Sequence, residues 1–296
     1  MDERYQRLTL FEFADFSKLS DKSALVVGVG GLGATVSEIL ARVGVGRLVL
    51  MDYDKLEMAN MNRLIYKPSQ IGKFKVEALK EYLSEIGGEV DIVAYPYDIT
   101  TGDGYKTFIE ECEKCDVVFG CVDTFGVRLF MNAKCVEKGK TLIDGGASLD
   151  GIRGSIQVII PGKTPCYRCH RKALGMGKER PEKGEMDFEA RKEDMEFYLN
   201  IEEPAKDRKT GICHMTSLPT TMAIISALQC QEGFKFLLNF GDVASFLMYN
   251  GIKGEIERLD QEVDPNCPVC GKGKPELDEK KLKEIEEAAE MFDKMA

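Results

Sequence analysis

Two pairs of cysteines have the spacing of metal-binding knuckles. Two residues separate Cys166 from Cys169, two separate Cys267 from Cys270, and prolines and a glycine beside the pairs supply tight turns. Four thiolates on two such turns are a common ligand set for structural Zn²⁺. The sequence therefore predicts a closed four-sulfur zinc site that ties the C-terminal segment to the sheet. His170 is a possible substitute ligand but is interpreted as a bystander, and four reduced buried thiols are the competing interpretation.

A glycine-rich turn carries the second pattern with chemical meaning. Its glycines are Gly28, Gly30, Gly31 and Gly33, between an apolar β-branched run and a helical stretch, and Asp52 ends the next apolar run. Glycines let a backbone approach phosphate, a helix N-terminus offers free N–H groups, and an acid at this distance can bind ribose hydroxyls. The pattern predicts nucleotide binding, with NAD, FAD, S-adenosylmethionine and ATP all open. A turn needed only for helix–sheet packing is the alternative.

The polar residues that follow favour ATP. Asn62, Arg63 and Lys75 come after the second strand, and Asp123 follows the fourth, with Arg128 about one helical turn beyond. A triphosphate requires cations and Mg²⁺, whereas a dinucleotide oxidoreductase requires neither extra phosphate ligands nor an acid for a metal. Taken singly, each residue has a plain alternative. Arg63 could cap a helix, Lys75 could lie on a solvated face, and Asp123 could cap the following helix.

A further cysteine is the candidate nucleophile. Cys213 lies between a charged segment and a predicted helix that starts near Met215 or Ser217. Unpaired N–H groups and the dipole at a helix N-terminus stabilise a thiolate, and the neighbouring His214 could add to that effect. A structural cysteine packed under the start of the helix is the alternative. A third CxxC pair, Cys112 and Cys115, has no second pair to join it and is interpreted as two ordinary thiols.

These residues require a framework of alternating strands and helices. From Ser23 onward, β-branched runs alternate with amphipathic stretches, which predicts a Rossmann-like α/β fold with a mostly parallel central sheet and helices on both faces. After Asp150 the pattern turns to an antiparallel extension. The charged stretch 171–212 lacks an apolar stripe and is interpreted as a flexible insertion that leads to Cys213.

Composition excludes several classes of function. The 296 residues carry a net charge of -10 and no tryptophan, which argues against nucleic-acid binding because that usually starts from a basic surface with stacking platforms. No stretch approaches the roughly 18–20 apolar residues of a membrane span, and Met1 to Ser20 lacks the features of a signal peptide. We therefore expect a cytoplasmic protein with reduced cysteines.

The combined motifs resemble the adenylation domain of ubiquitin-activating-type (ThiF-like) enzymes and their bacterial sulfur-carrier relatives. The matching segments are Gly28-x-Gly30-Gly31-x-Gly33, Asp52-x-Asp54, Asn60-Met61-Asn62-Arg63, Lys75 and Cys121-Val122-Asp123-x-x-x-x-Arg128. The resemblance implies that Asp52 holds the ribose, that Asn62, Arg63 and Lys75 contact the phosphates, and that Asp123 binds Mg²⁺. It also implies that Arg7, in the N-terminal arm, reaches the site of a partner subunit in a homodimer.

One branch of this family is the most similar. Gly-x-Cys213 followed by Ser-Leu-Pro-Thr-Thr-Met is similar to the activating enzymes of the ubiquitin-fold modifier. That resemblance implies ATP-dependent adenylation of a modifier's C-terminal carboxylate, a thioester on Cys213, and transfer to a conjugating enzyme. The tail after Cys270 is shorter than in that branch. The alternatives are a sulfur-carrier adenylyltransferase that forms no thioester, an NAD-dependent oxidoreductase, and a silent scaffold subunit.

This interpretation divides the chain into three parts. Residues 1–251 form the predicted adenylation domain, including the charged insertion at about 171–212. Residues 252–274 form a zinc-tied strand and knuckle. Residues 275–296 form a short helical C-terminal tail.

Overall fold

The structure is a computed structural model that describes residues 3–63, 65–86, 88–148, 150–173 and 216–271. Within these ranges lie eight strands and six α-helices. The strands are β1 (Ser23–Val27), β2 (Arg47–Met51), β3 (Asp91–Tyr95), β4 (Val117–Gly120), β5 (Thr141–Ala147), β6 (Arg153–Ile159), β7 (Phe246–Asn250) and β8 (Glu255–Arg258). The helices are α1 (Gly31–Arg42), α2 (Lys75–Ile86), α3 (Gly102–Lys114), α4 (Phe125–Glu137), α5 (Tyr167–Ala173) and α6 (Pro219–Leu238).

All eight strands belong to one sheet, in the order β3-β2-β1-β4-β5-β6-β7-β8. Strands β1 to β5 pair in parallel, and β6, β7 and β8 add to the β5 edge in antiparallel pairs. The predicted parallel sheet with an antiparallel extension is confirmed.

Helices cover both faces of the sheet, as the apolar strands predict. One buried cluster contains side chains of α1, α2 and α6, and the other contains side chains of α3, α4 and α5. Strands enclosed in this way are apolar on both sides, which explains the unbroken run Ala24-Leu25-Val26-Val27 in β1.

Helix α6 corrects one prediction from the sequence. Its apolar side packs on the sheet as expected, with Ile225 fully buried. However, the helix begins at Pro219, and Leu218 before it has extended backbone angles. The predicted start near Met215 or Ser217 is therefore too early.

Other predicted bounds differ by a few residues. The sequence pattern predicts a helix over 73–86 and strands over 91–97 and 141–143. In the structure, α2 begins at Lys75, β3 ends at Tyr95, and β5 continues to Ala147. The charged insertion from 174 onward, Cys213, His214 and the tail from 272 lie outside the described residues. No helix within the described ranges has the length and apolar content that crossing a membrane requires.

Candidate functional site

The register of three strands brings the predicted nucleotide-binding residues to one edge of the sheet. Val27 at the end of β1 lies opposite Met51 of β2 on one side and Gly120 of β4 on the other. The next residues in the three segments, beginning with Gly28 and Asp52, therefore leave the sheet side by side. Ligands of open parallel sheets bind at this carboxyl edge, where the strand order reverses.

In the glycine turn, a side chain at Gly30 would have room, whereas one at Gly33 would not. Gly28 has a φ of +81°, which favours glycine, and a Cβ at Gly33 would overlap the carbonyl oxygen of Gly28. A Cβ at Gly30 would meet nothing within 4 Å. Gly30 is the N-cap residue of α1, and no side chain caps the first N–H groups of that helix. Such a turn can accept a phosphate against the backbone.

Asp52 accepts hydrogen bonds from both the glycine turn and the loop that follows β2. One carboxylate oxygen accepts a hydrogen bond from the Val29 N–H at 2.8 Å, and the other accepts one from the Asp54 N–H at 2.8 Å. Burial raises the pKa of Asp52 above its ordinary value, although Lys75 and these N–H groups oppose the shift. An acid held by fixed donors at the end of β2 suits the binding of ribose hydroxyls.

Tyr66 is a part of this site that the sequence did not predict. Its buried hydroxyl donates a 2.7 Å hydrogen bond to the carbonyl oxygen of Val29, in the middle of the glycine turn. The two residues are 37 positions apart, and no local pattern connects them. The available sequence signal for this contact was the position of Tyr66, close after Asn62-Arg63.

Lys75 is the first residue of α2, and its side chain is only 11% exposed. Its ammonium lies 2.5 Å from a carboxylate oxygen of Asp54. The interpretation of Lys75 as a residue of a solvated face is therefore wrong. The Lys75 N–H also donates to the Asp54 carbonyl oxygen at 2.9 Å, so side chain and backbone both fix the start of α2 beside the nucleotide edge.

Arg63 lies next to the same turn. A Cβ at Gly31 would be 3.7 Å from Arg63 Cδ. Its guanidinium donates to the carbonyl oxygen of Ala59 at 3.1 Å and to the side-chain oxygen of Asn62 at 3.0 Å. Asn62 is exposed, so both residues can meet a ligand at the glycine turn.

Asp123 follows β4 and is exposed at the same edge. Thr124, between Asp123 and α4, occupies the N-cap position, so the alternative that Asp123 caps the helix does not hold. Partial burial and the nearby carboxylates, those of Asp54 and Asp123 among them, raise the pKa of Tyr53. This edge thus has the acidic character that a divalent cation requires.

Arg128 holds the loop that carries Asp123. Its guanidinium donates to the Val122 carbonyl oxygen at 2.9 Å, to Asp144 at 3.0 Å and to the Gly145 carbonyl oxygen at 3.0 Å. Burial raises the pKa of Asp144 to about 6, although Arg128 opposes that shift. Arg128 is therefore a support behind the site.

The four predicted zinc cysteines form one cluster. Their sulfur atoms all lie within 4.8 Å of one another, with Sγ–Sγ distances of 3.6 Å for Cys166–Cys267 and 3.4 Å for Cys169–Cys270. Tetrahedral Zn²⁺ with bonds of about 2.3 Å has sulfur atoms roughly 3.8 Å apart. The donor set and its spacing fit a four-thiolate zinc site. His170 is buried and is not among the clustered ligand atoms, which agrees with its interpretation as a bystander.

The remaining thiols and Arg7 lie elsewhere. Cys112 and Cys115 are buried at the end of α3, as predicted for ordinary thiols. Arg7 is exposed on a 3₁₀ helix whose Arg4 donates to the carbonyl oxygen of Ile86, the last residue of α2. Ile86 lies shortly before β3, at the amino edge of the sheet, and a five-residue strand is about 16 Å long. Arg7 therefore lies at the opposite edge from the glycine turn of its own chain.

Comparisons with known proteins agree with this geometry. Ubiquitin-like modifier-activating enzyme 5 of Caenorhabditis briggsae is 36% identical over 260 residues, which is 86% of this chain and 55% of the relative. The protein of the same name from Oryza sativa subsp. japonica is 33% identical and is covered to 58%. The chain thus spans less than two thirds of the length of these relatives.

A solved structure of E. coli MccB with ATP has the same fold. Its TM-score is 0.69 at 20% identity, over 92% of this chain and 75% of MccB. The model of the ThiF family matches residues 2–269, which include all the described strands and α-helices and three of the four clustered cysteines. The chain belongs to the ThiF family.

Proposed function

We propose that this chain activates a ubiquitin-like modifier: it adenylates the modifier's C-terminal carboxylate with ATP and then carries the modifier as a thioester on Cys213. The observation that supports this most strongly is the convergence of the glycine turn, Asp52 and Lys75 at one sheet edge in a ThiF-family chain. The relatives named as modifier-activating enzymes point to the same activity.

In the first step, an oxygen of the modifier's C-terminal carboxylate attacks the α-phosphorus of ATP. The bond from that phosphorus to the bridging oxygen breaks, pyrophosphate leaves, and an acyl-adenylate forms. Asp52 holds the ribose, and the N–H groups at the start of α1 receive the phosphates. Asn62, Arg63 and Lys75 offset the charge that develops on the oxygens, so catalysis depends on positioning and electrostatics.

Two further groups complete the site in this proposal. Asp123 would hold Mg²⁺, which neutralises phosphate charge when bound. Arg7 would come from a second copy of the chain, because it lies at the far edge of the sheet in its own subunit. We propose a homodimer in which each arm serves the neighbouring site, and this placement of Arg7 supports it.

In the second step, the Cys213 thiolate attacks the acyl carbon of the mixed anhydride. A carbon–sulfur bond forms, the bond to the phosphate oxygen breaks, and AMP leaves with the electron pair. A conjugating enzyme's cysteine then accepts the acyl group. We place the reaction in the cytoplasm, where thiols stay reduced, and assign the four-cysteine cluster to structural Zn²⁺.

The test uses the full chain, ATP and a ubiquitin-fold modifier with its native C-terminal carboxylate. We expect ATP–pyrophosphate exchange and a modifier adduct that reductant removes. Cys213→Ala should retain exchange and lose the adduct, whereas the control Cys115→Ala should retain both because that thiol is buried far from the nucleotide edge.

Three outcomes would contradict the proposal. An adduct that persists in Cys213→Ala would remove the thioester assignment. Exchange with the modifier but no adduct in the wild type would favour a sulfur-carrier adenylyltransferase. Tight NAD binding without ATP-dependent exchange would favour an oxidoreductase.

A further inference from the structure

The two members of the ion pair between Lys75 and Asp54 differ sharply in exposure. The Lys75 side chain is 11% exposed, and the Asp54 side chain is 50% exposed. The ammonium is therefore confined, while its partner stays open to a ligand. A lysine ammonium has three donors, so one carboxylate oxygen leaves the others available for phosphate oxygens.

Asp54 also connects Lys75 to the glycine turn through short hydrogen bonds. The Val29 N–H donates to Asp52, the Asp54 N–H donates to the other oxygen of Asp52, and the Asp54 carboxylate holds Lys75. The Asp54 carbonyl oxygen accepts the N–H of Lys75 at the start of α2. Asp52 and Asp54 thus link the glycine turn to the Lys75 ammonium, the two groups proposed to contact the phosphates.

We propose that Asp54 is a positioning residue of the nucleotide site: it orders the Lys75 ammonium for the phosphates before ATP arrives. This inference rests on the proposed ATP-dependent function. A free lysine side chain samples many rotamers, and a ligand must otherwise overcome that entropy when it orders the ammonium. The Asp54 carboxylate orders the side chain in the empty site and so lowers the cost of binding.

The experiment measures equilibrium binding of Mg-ATP and of adenosine to the full chain. In Asp54→Asn we expect the ATP dissociation constant to rise about tenfold, a size typical of lost preorganisation at one side chain. Adenosine binding should stay unchanged because adenosine has no phosphate for Lys75 to meet. Glu81→Gln is the matched control, since it removes a carboxylate of α2 that pairs at 2.7 Å with Lys73, just before the helix.

A second background separates positioning from other roles. If Asp54 acts through Lys75, its substitution should have little further effect on ATP binding in Lys75→Met. A tenfold loss that persists in that background, or a raised Mg²⁺ requirement in Asp54→Asn, would overturn the inference in favour of a metal ligand. Unchanged or tighter ATP binding in Asp54→Asn would overturn it as well.

The inference and the proposed function fail in different ways. Wild-type protein that binds no ATP would refute the proposed function itself. Wild-type binding with the wrong response to Asp54→Asn would refute only the positioning role. Thermal denaturation of each variant establishes that the comparison is between folded proteins.

Discussion

Two glycines of one turn should respond to alanine in opposite ways. A Cβ at Gly30 meets nothing within 4 Å, and its φ of -76° is accessible to alanine. A Cβ at Gly33 overlaps the Gly28 carbonyl group and comes within 3.1 Å of Cys121 Cβ. We therefore predict that Gly30→Ala damages nucleotide binding alone, whereas Gly33→Ala damages the fold.

The geometry sets the sizes of both effects. Gly30→Ala loses a good N-cap residue, which destabilises the fold by about 1 kcal/mol. It also makes the unfolded chain less flexible, which stabilises the fold by about 1 kcal/mol, so the free energy of unfolding should change little. The new methyl group occupies the approach of the phosphates, and we expect ATP affinity to fall about 10- to 100-fold, or roughly 1.4–2.8 kcal/mol. In Gly33→Ala the contact is with backbone, so the free energy of unfolding should fall by about 3 kcal/mol.

Thermal denaturation and equilibrium ATP binding distinguish the two outcomes. A loss of 3 kcal/mol corresponds to roughly 6–12 °C in the midpoint for a domain of this size. Gly30→Ala should keep the wild-type midpoint within about 3 °C. The reasoning is wrong if Gly30→Ala lowers the midpoint as much as Gly33→Ala does, or if it binds ATP as tightly as the wild type.

Two other predictions concern the supports of the site. Chelation of metal, or Cys267→Ser, should remove one zinc per chain. If zinc otherwise exceeds its dissociation constant a thousandfold, its loss should lower the free energy of unfolding by about 4 kcal/mol or more. Atomic emission measures the zinc and denaturation the stability, and an unchanged midpoint after metal loss would contradict the prediction. Arg128→Met should lower the free energy of unfolding by about 3–5 kcal/mol because it leaves Asp144 buried without its cation. Since burial already holds the pKa of Asp144 at about 6, above its unfolded value, this group's contribution to stability falls as pH rises from about 4 through 6. In Arg128→Met, the pH range over which Asp144 loses its contribution to stability extends to higher pH. Urea denaturation should therefore find a larger loss of unfolding free energy at pH 8 than at pH 5, and an equal loss at both would refute the role of Asp144.

Features that depend on local spacing were predictable from the sequence. The glycine turn, the acid at the end of β2 and the two CxxC pairs each lie within a few residues of an element that the apolar pattern predicts. The parallel order then brings the ends of β1, β2 and β4 together without further information.

Contacts between distant residues were not predictable in this way. The Tyr66 hydroxyl meets Val29 across 37 positions, and Lys75 meets Asp54 across 21. Only the path of the loop between β2 and α2 sets these pairs. The start of α6 was misplaced for a local reason: Thr216 and Ser217 are good N-terminal residues, but the fixed φ of Pro219 suits the first position of the helix itself.

The antiparallel pair β6–β7 brings together two segments that are far apart in the sequence. Gly154 pairs with Tyr249, and the cysteine knuckles close the same connection a second time, so the chain leaves and returns at fixed points. The β6–β7 pair and the cysteine cluster therefore join the C-terminal strands to the nucleotide-binding sheet at two separate places.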